Sequence, residues 1–136
     1  MDHNMRASQR MWFWVWLLQM TIQKVKLKEP EAQTELWRNL VVIQAGSAKE
    51  ALAKAFRIGE AERGDCNGTL RLFGKPAITI FVGIEDIGLI EDGLIDGGEI
   101  LWQLRRHSQT KVRAMVKSRR QLLDNLESAI QCKQAS

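Results

Sequence analysis

The chain has 136 residues, of which 45% are hydrophobic and 26% are charged. This length fits one domain, and this composition excludes a disordered or fibrous protein. The net charge of +4 comes from the C-terminal part, since residues 105–136 hold eight of the 20 basic residues and two of the 16 acidic ones.

The N-terminal part predicts a flexible segment followed by a strand. Residues 1–10 are polar and predicted to be flexible, and Met1, Met5 and Met11 all stay open as the true start. The longest apolar run is Met11 to Leu18. A membrane-spanning helix needs about 20 such residues, so no membrane partner is expected. Residues 11–23 are rich in large apolar residues and lack Gly and Pro, which favours a first strand.

The tryptophans of this strand alternate with other apolar residues. Successive side chains of a strand point to opposite faces, so the tryptophans share one face. That face is either core beneath the helices or a contact platform for a partner. The two sets are Trp12, Trp14 and Trp16 on one face, and Phe13, Val15 and Leu17 on the other.

The middle of the chain predicts one helix among several strands. Ser47 and Glu50 form a capping box, which predicts a helix over 48–58 that ends at Gly59. The apolar runs predict strands at 35–44, 69–73, 77–84 and 100–104. An acidic, glycine-containing stretch covers 85–99, and within it Asp92-Gly93 and Asp96-Gly97-Gly98 are interpreted as turns.

The C-terminal part predicts one long amphipathic helix over 108–132, basic in its first half. Whether it packs on its own domain or on another subunit is left open. The fold class is therefore α+β, with a small, mainly antiparallel sheet of four or five strands, one short packed helix and this long helix. The chain divides into a flexible segment 1–10, an α+β domain 11–106 and the basic helix 107–136.

Five stretches follow one another in a recognisable order: Met11-Trp12-Phe13, Glu35 through Ala45, Ser47 through Ala51, Phe81 through Ile84, and Asp96 through Glu99. In this order and spacing, residues 11–105 resemble the uncharacterised bacterial family known as domain of unknown function 4288. No activity is assigned to that family, so the resemblance implies no functional residue. Trp14, Trp16 and the basic helix depart from the family pattern, and a function particular to this chain would lie there.

The sequence holds no constellation that indicates a catalytic site, a metal site or a cofactor. Cys66 and Cys132 lie far apart without metal-ligand spacing, which fits a reducing cytoplasm. The residues predicted to contact a protein partner are Trp14, Trp16, Met115, Leu122 and Leu126. The residues that would contact a nucleic acid are Arg105, Arg106, Arg113, Lys117, Arg119 and Arg120.

The function predicted first is a non-enzymatic, cytoplasmic module that binds another protein or itself, as in a homodimer. The first alternative is a nucleic-acid-associated accessory protein that uses the basic helix. In a further interpretation, the basic helix docks on the chain's own acidic stretch 85–99. The second alternative is a small enzyme that uses the carboxylates of Glu91, Asp92, Asp96 and Glu99.

Overall fold

The structure is a computed structural model that describes residues 10–90 and 102–135, with side chains for residues 10–90 and 106–132. Five strands form one antiparallel sheet in the order β3-β4-β1-β2-β5, so the α+β prediction is confirmed. The strands are β1 (Met11–Gln23), β2 (Gln33–Ala45), β3 (Arg71–Leu72), β4 (Lys75–Ile90) and β5 (Trp102–Ser108). The helices are α1 (Ala48–Ala61), α2 (Gln109–Ala114) and α3 (Arg119–Ala135).

Strand β1 is the centre of the sheet, paired with β2 on one side and β4 on the other. Its predicted alternation is confirmed, because Phe13, Val15 and Leu17 are buried while the three tryptophans are half-buried. The pairing with β4 shifts register twice, between Trp16 and Leu17 and between Leu18 and Gln19. Each shift places one extra residue of β4 opposite β1, which is a β-bulge.

The face of the sheet that carries Phe13 is covered by two helices. Ala51 and Ala55 of α1 are fully buried against it, and their small side chains let the helix lie close. Leu122 and Leu126 of α3 are fully buried in the same cluster. Burial of one such leucine is worth about 1.5–3 kcal/mol, so these contacts fix both helices on this face.

Towards the end of β1, the Phe13 face becomes polar. The Thr21 and Thr79 hydroxyls are 3.0 Å apart, and the Gln23 amide donates to the main-chain oxygen of Leu72 at 2.9 Å. The Gln19 side-chain oxygen accepts a hydrogen bond from the Asn39 amide at 2.8 Å. Polar groups this deeply buried need such partners.

The opposite face has a second, smaller core at the end of β1. Leu18, Met20 and Ile22 are fully buried there with Leu36 of β2 and Val112 of α2. Helix α2 begins at Ser108, whose hydroxyl accepts from the Lys111 amide at 3.3 Å. The two sides of the sheet are therefore covered by different parts of the C-terminal segment.

The long C-terminal helix predicted from the sequence is interrupted in the structure. Residues 115–118 separate α2 from α3 and run along the outer edge of β4, where the Lys117 amide donates to the Ile84 carbonyl at 3.2 Å. The Ser118 hydroxyl accepts from the Gln121 amide at 3.1 Å, which caps the new helix. The interruption lets the chain pass from one face to the other, and both helices pack on their own domain.

Three local predictions need correction. Helix α1 continues past Gly59 to Ala61, and β4 continues past Ile84, the predicted end of its strand, to Ile90. The turns predicted within 92–98 lie outside the described residues. The Ser47 hydroxyl caps α1 as predicted by accepting from the Glu50 amide at 3.1 Å. The Glu50 carboxylate, however, accepts from the Gly46 amide at 2.8 Å rather than from Ser47.

Gly59 lies within α1 because the helix approaches the Phe81 ring closely at that turn. A β-carbon at Gly59 would overlap that ring. Gly→Ala in an exposed helix interior normally adds about 1 kcal/mol of stability. Here we expect Gly59→Ala to destabilise the protein by about 1–3 kcal/mol, because overpacking outweighs helix propensity. Urea unfolding measures this cost. When Gly59→Ala is made in a Phe81→Leu background, which lacks the ring, most of the cost should disappear. An equal cost in the wild-type and Phe81→Leu backgrounds would contradict the account.

Glu50 makes stability depend on pH. The Gly46 amide, Arg10 and Lys54 together hold the pKa of the Glu50 carboxyl below its ordinary value of 4.5. A carboxyl with a lowered folded-state pKa contributes stability above the unfolded pKa and loses it as pH falls through the folded pKa. We expect Glu50→Gln to be less stable than wild type at pH 7, with a gap that narrows below about pH 4.5.

Chemical denaturation at pH 7 and pH 3 measures this gap. The matched control is Glu60→Gln on the same helix, at an exposed carboxylate for which the structure shows no ion pair among the described residues. A gap between wild type and Glu50→Gln that is the same at both pH values would contradict the role of Glu50.

Candidate functional site: the tryptophan face of the sheet

The tryptophan face is the half of the second sheet face that lies at the start of β1. Its members are apolar and half-buried, and they lie side by side in the cross-strand register. Neither core cluster among the described residues includes the three tryptophans. The face consists of Trp12, Trp14 and Trp16 on β1, Leu40 and Val42 on β2, and Ile90 on β4.

The described helices cover only the other half of this side of the sheet. The residues of α2 and the following segment that pack here are Val112, Met115 and Val116. Their partners are the buried residues from Leu18 onward. Among the described residues, the tryptophan face is therefore an apolar surface without a helix over it.

Trp14 is held flat against the sheet by Gly88 of β4, its cross-strand neighbour. A β-carbon at Gly88 would overlap the indole ring, so only glycine allows this approach. Val42 of β2 is the cross-strand neighbour on the other side. An aromatic side chain over a cross-strand glycine covers exposed backbone and fixes the register of the pair.

Trp16 is held by a charged side chain. The Arg38 guanidinium carbon is 4.3 Å from the centroid of the Trp16 ring, which is a cation–π contact. The Arg38 Nε also donates to the Glu85 carboxylate at 2.6 Å. Both charged side chains are more than three-quarters buried, so water screens their attraction less than at an open surface.

The bulge in β4 is what brings Glu85 to this place. Trp16 pairs with Asp86 and Leu17 with Ile84, so Glu85 is the extra residue between them. A bulge re-aims the side chain of the extra residue, and here the Glu85 side chain meets Arg38. Residues 115–118, which run along the edge of β4, add a second cation. Lys117 Nζ donates to the Glu85 main-chain oxygen at 2.9 Å and lies 4.0 Å from the Asp86 carboxylate.

These four residues, Arg38, Glu85, Asp86 and Lys117, form a charged corner beside Trp16. The corner contains two cations and two carboxylates. A surface with an apolar centre and a mixed-charge rim is the usual anatomy of a protein–protein interface. Lys117 also shows that one residue of the basic segment contacts the acidic stretch of its own chain.

The sequence-predicted contact residues are only partly brought together. Trp14 and Trp16 share the tryptophan face, and Met115 is half-buried at the far end of the same side. Leu122 and Leu126 are fully buried between α3, α1 and the sheet. Their apolar stripe belongs to the chain's own core, so they offer no surface to a partner in this structure.

The predicted nucleic-acid residues are divided between different surfaces. Helices α2 and α3 cover opposite faces of the sheet, so Arg113 is separated from Arg119 and Arg120. Most of them already have partners on this chain. Arg106 and Arg120 lie near carboxylates, at 3.7 Å from Glu35 and 3.8 Å from Asp124. Arg113 donates to the Gln109 side chain, and Arg119 stacks over the Phe56 ring at 4.7 Å. The Arg105 side chain is outside the described residues.

The carboxylates proposed for an enzyme, Glu91, Asp92, Asp96 and Glu99, lie outside the described residues. Within the described part of the chain, no group of three or more His, Cys, Asp or Glu side chains is placed to hold a metal ion. None of the described helices is both long and apolar enough to cross a membrane.

Comparison with protein-family models, with curated proteins and with solved structures finds no match to this chain. The resemblance of residues 11–105 to the family named above therefore stays a prediction.

The Arg38–Glu85 pair has a measurable energy. Removing Arg38 leaves a largely buried carboxylate without its cation, so we expect Arg38→Met to destabilise the protein by about 1–3 kcal/mol. Arg38→Met with Glu85→Gln should cost less than the sum of the two single changes, because the second change removes the unpaired charge. Urea unfolding of the four proteins measures the coupling. Strictly additive costs would show that the contact contributes no stability.

Proposed function

We propose that this chain is a non-enzymatic interaction module that binds a second copy of itself through the tryptophan face. The observation that supports this is the set of three tryptophans in register on one sheet face, half-buried and outside both described core clusters. Tryptophan and arginine are the residues most enriched at the energetic centres of protein interfaces.

The physical reason is the cost of leaving such a surface in water. One aromatic side chain buries about 150–250 Å² of accessible surface when it is covered. Soluble proteins rarely expose contiguous apolar patches of several hundred Å². Trp14 and Trp16 are already fixed by Gly88 and Arg38, so little side-chain freedom is lost on binding. A rigid aromatic surface reduces the entropic cost of association.

The charged corner favours a second copy as the occupant. A two-fold axis brings the same patch of both subunits together, so each surface must be complementary to itself. Arg38 and Lys117 provide positive charge, and Glu85 and Asp86 provide negative charge, at one side of the tryptophan face. A partner of strongly basic or strongly acidic character would meet like charges at this rim.

The nucleic-acid and enzyme alternatives stay predictions, since no contact among the described residues favours either. The first would need the cations of α2 and α3 on one surface, and these helices lie on opposite faces. The second depends on carboxylates outside the described residues.

The proposal is tested by molar mass in solution, using size exclusion with light scattering over a range of concentrations. We expect the wild-type chain to pass from its monomer mass of 15.5 kDa to twice that mass as concentration rises. High salt should leave the dimer largely intact, because apolar burial supplies most of the association energy. Val42→Glu places a charge beside Trp14, so this variant should stay a monomer.

Two further variants make this test specific. Ile58→Glu introduces the same charge at an exposed position on α1, and it should dimerise as wild type does. Leu40→Gln, opposite Trp16, weakens the face without adding charge, and it covers the case that Val42→Glu does not fold. A wild-type monomer at all concentrations would contradict the proposal, as would dimers of folded Val42→Glu and Leu40→Gln.

A further inference from the structure

The far end of the sheet carries a second apolar surface, made by two turns. The first is the turn 24–28 after β1, and the second is the β3–β4 hairpin tip at Phe73. Val25 is 74% exposed, Phe73 54% and Leu27 37%, which makes them three of the four most exposed large apolar residues among those described. We call these two turns the basic end, because Lys24, Lys26, Lys28, Arg71 and Lys75 lie in or beside them along the chain.

The two turns are neighbours in space. Gln23, the last residue of β1, donates its side-chain amide to the Leu72 carbonyl at 2.9 Å. Lys24 Nζ lies 2.6 Å from the Asp65 carboxylate in the loop that leads to β3. Both contacts tie the turn after β1 to the segment around the hairpin, so their exposed side chains belong to one end of the molecule.

Phe73 occupies a backbone conformation that suits it poorly. Its φ is +52° and that of Gly74 is +78°, so the two residues form a two-residue hairpin turn with both φ angles positive. Asn and Gly are the residues favoured at such positions, and a bulky side chain there is strained. Burial does not offset this strain, since Phe73 is more than half exposed. Its described ring contact is with the Arg106 guanidinium carbon, 5.5 Å from the ring centroid. An outlier of this kind points to a function for the side chain.

The charges at this end are mainly positive. Asp65 pairs with Lys24, Glu29 lies 3.8 Å from Lys26, and Glu31 is the remaining acidic residue of the two turns and their flanks. A pocket of about 260 Å³ is lined by Leu27, Lys28, Arg113 and Thr110, whose hydroxyl bonds to the Pro30 carbonyl and the Glu31 carboxylate. The cations of the basic end are Lys24, Lys26, Lys28, Arg71, Lys75 and Arg113.

We propose that the basic end docks on an anionic phospholipid surface. Val25, Leu27 and Phe73 enter the region between headgroups and acyl chains, while the surrounding cations neutralise lipid phosphates. Lys28 and Arg113 line the pocket beside Leu27 and provide two cations for one headgroup phosphate. The aliphatic side chains of Val25 and Leu27 favour a lipid partner over a nucleic acid, because they cannot stack on bases as aromatic rings do.

This docking is compatible with the tryptophan face. Trp14 and Val25 are separated by nine residues of extended strand and the start of a turn, a distance of about 30 Å. The sequence predicts no membrane partner, because it has no spanning segment and because the apolar stripe of its C-terminal helix lacks Trp and Phe anchors for a membrane surface. The basic end is a different surface, and it depends on neither feature. The two surfaces can therefore be tested one at a time.

The test is co-sedimentation of the full chain with vesicles. Wild type should bind vesicles that contain phosphatidylglycerol and not vesicles of phosphatidylcholine alone, and 0.5 M NaCl should weaken the binding by about tenfold or more. Val25→Ser and Phe73→Asn should each weaken it by about tenfold, since each removes apolar insertion. Ile58→Ser, which removes a similarly exposed side chain from α1, should bind as wild type does.

Thermal unfolding of the same variants separates binding from structure. Phe73→Asn should be as stable as wild type or more stable, because asparagine tolerates positive φ. A more stable variant that has lost vesicle binding supports the proposal in a way that a purely structural role of Phe73 does not. Lys28→Ser should weaken vesicle binding, and Lys49→Ser on α1 should not.

Three results would overturn the proposal. One is the absence of any binding to phosphatidylglycerol vesicles at low salt. Another is vesicle binding that Val25→Ser and Phe73→Asn leave unchanged. The third is tighter binding to double-stranded DNA than to vesicles, which would assign the basic end to nucleic acid. None of these depends on the oligomeric state, so they do not decide the proposal for the tryptophan face.

Discussion

The position of β1 between two other strands constrains the rest of the molecule. A central strand must send alternate side chains to opposite faces, and here one set is Phe13, Val15 and Leu17 and the other begins with three tryptophans. Both sets are apolar, so both faces need cover. Helices α1 and α3 cover the first face, and α2 covers the second face only from Leu18 onward.

The C-terminal segment divides its cover between the two faces. It must pass the outer edge of β4, and it does so where Lys117 bonds to the Ile84 and Glu85 carbonyls. The same contacts hold the bulged part of β4, from which Glu85 reaches Arg38 beside Trp16. The passage of the C-terminal segment past β4 therefore determines both the path of that segment and the positions of the charges beside the tryptophan face. In the proposed dimer, the mixed charges at that crossing would lie opposite the same charges of a second copy.

Much of the fold follows from local patterns in the sequence. Alternation in residues 11–23, the Ser47 cap and the apolar runs were sufficient to predict β1, α1 and the α+β class. The break at 115–118 was not predictable, because no Gly or Pro marks it and tertiary contact with β4 causes it. The sequence predicts a helix stop at Gly59, because the close approach of α1 to Phe81 that requires this glycine cannot be seen in a single sequence. For the site, Trp14 and Trp16 were found by spacing, whereas Arg38 and Glu85 depend on cross-strand register and a bulge.

The central claim is that Trp12, Trp14 and Trp16 form the surface on which a second copy docks. The most direct measurement is ¹⁹F NMR of the chain labelled with 5-fluorotryptophan, with single Trp→Phe variants to assign the five signals. As concentration rises through the range in which molar mass doubles, the signals of these three tryptophans should shift together, while that of Trp37 should change little. Shifts confined to the other two tryptophans would place the contact elsewhere, and a doubling of mass without any shift of the three would contradict the account.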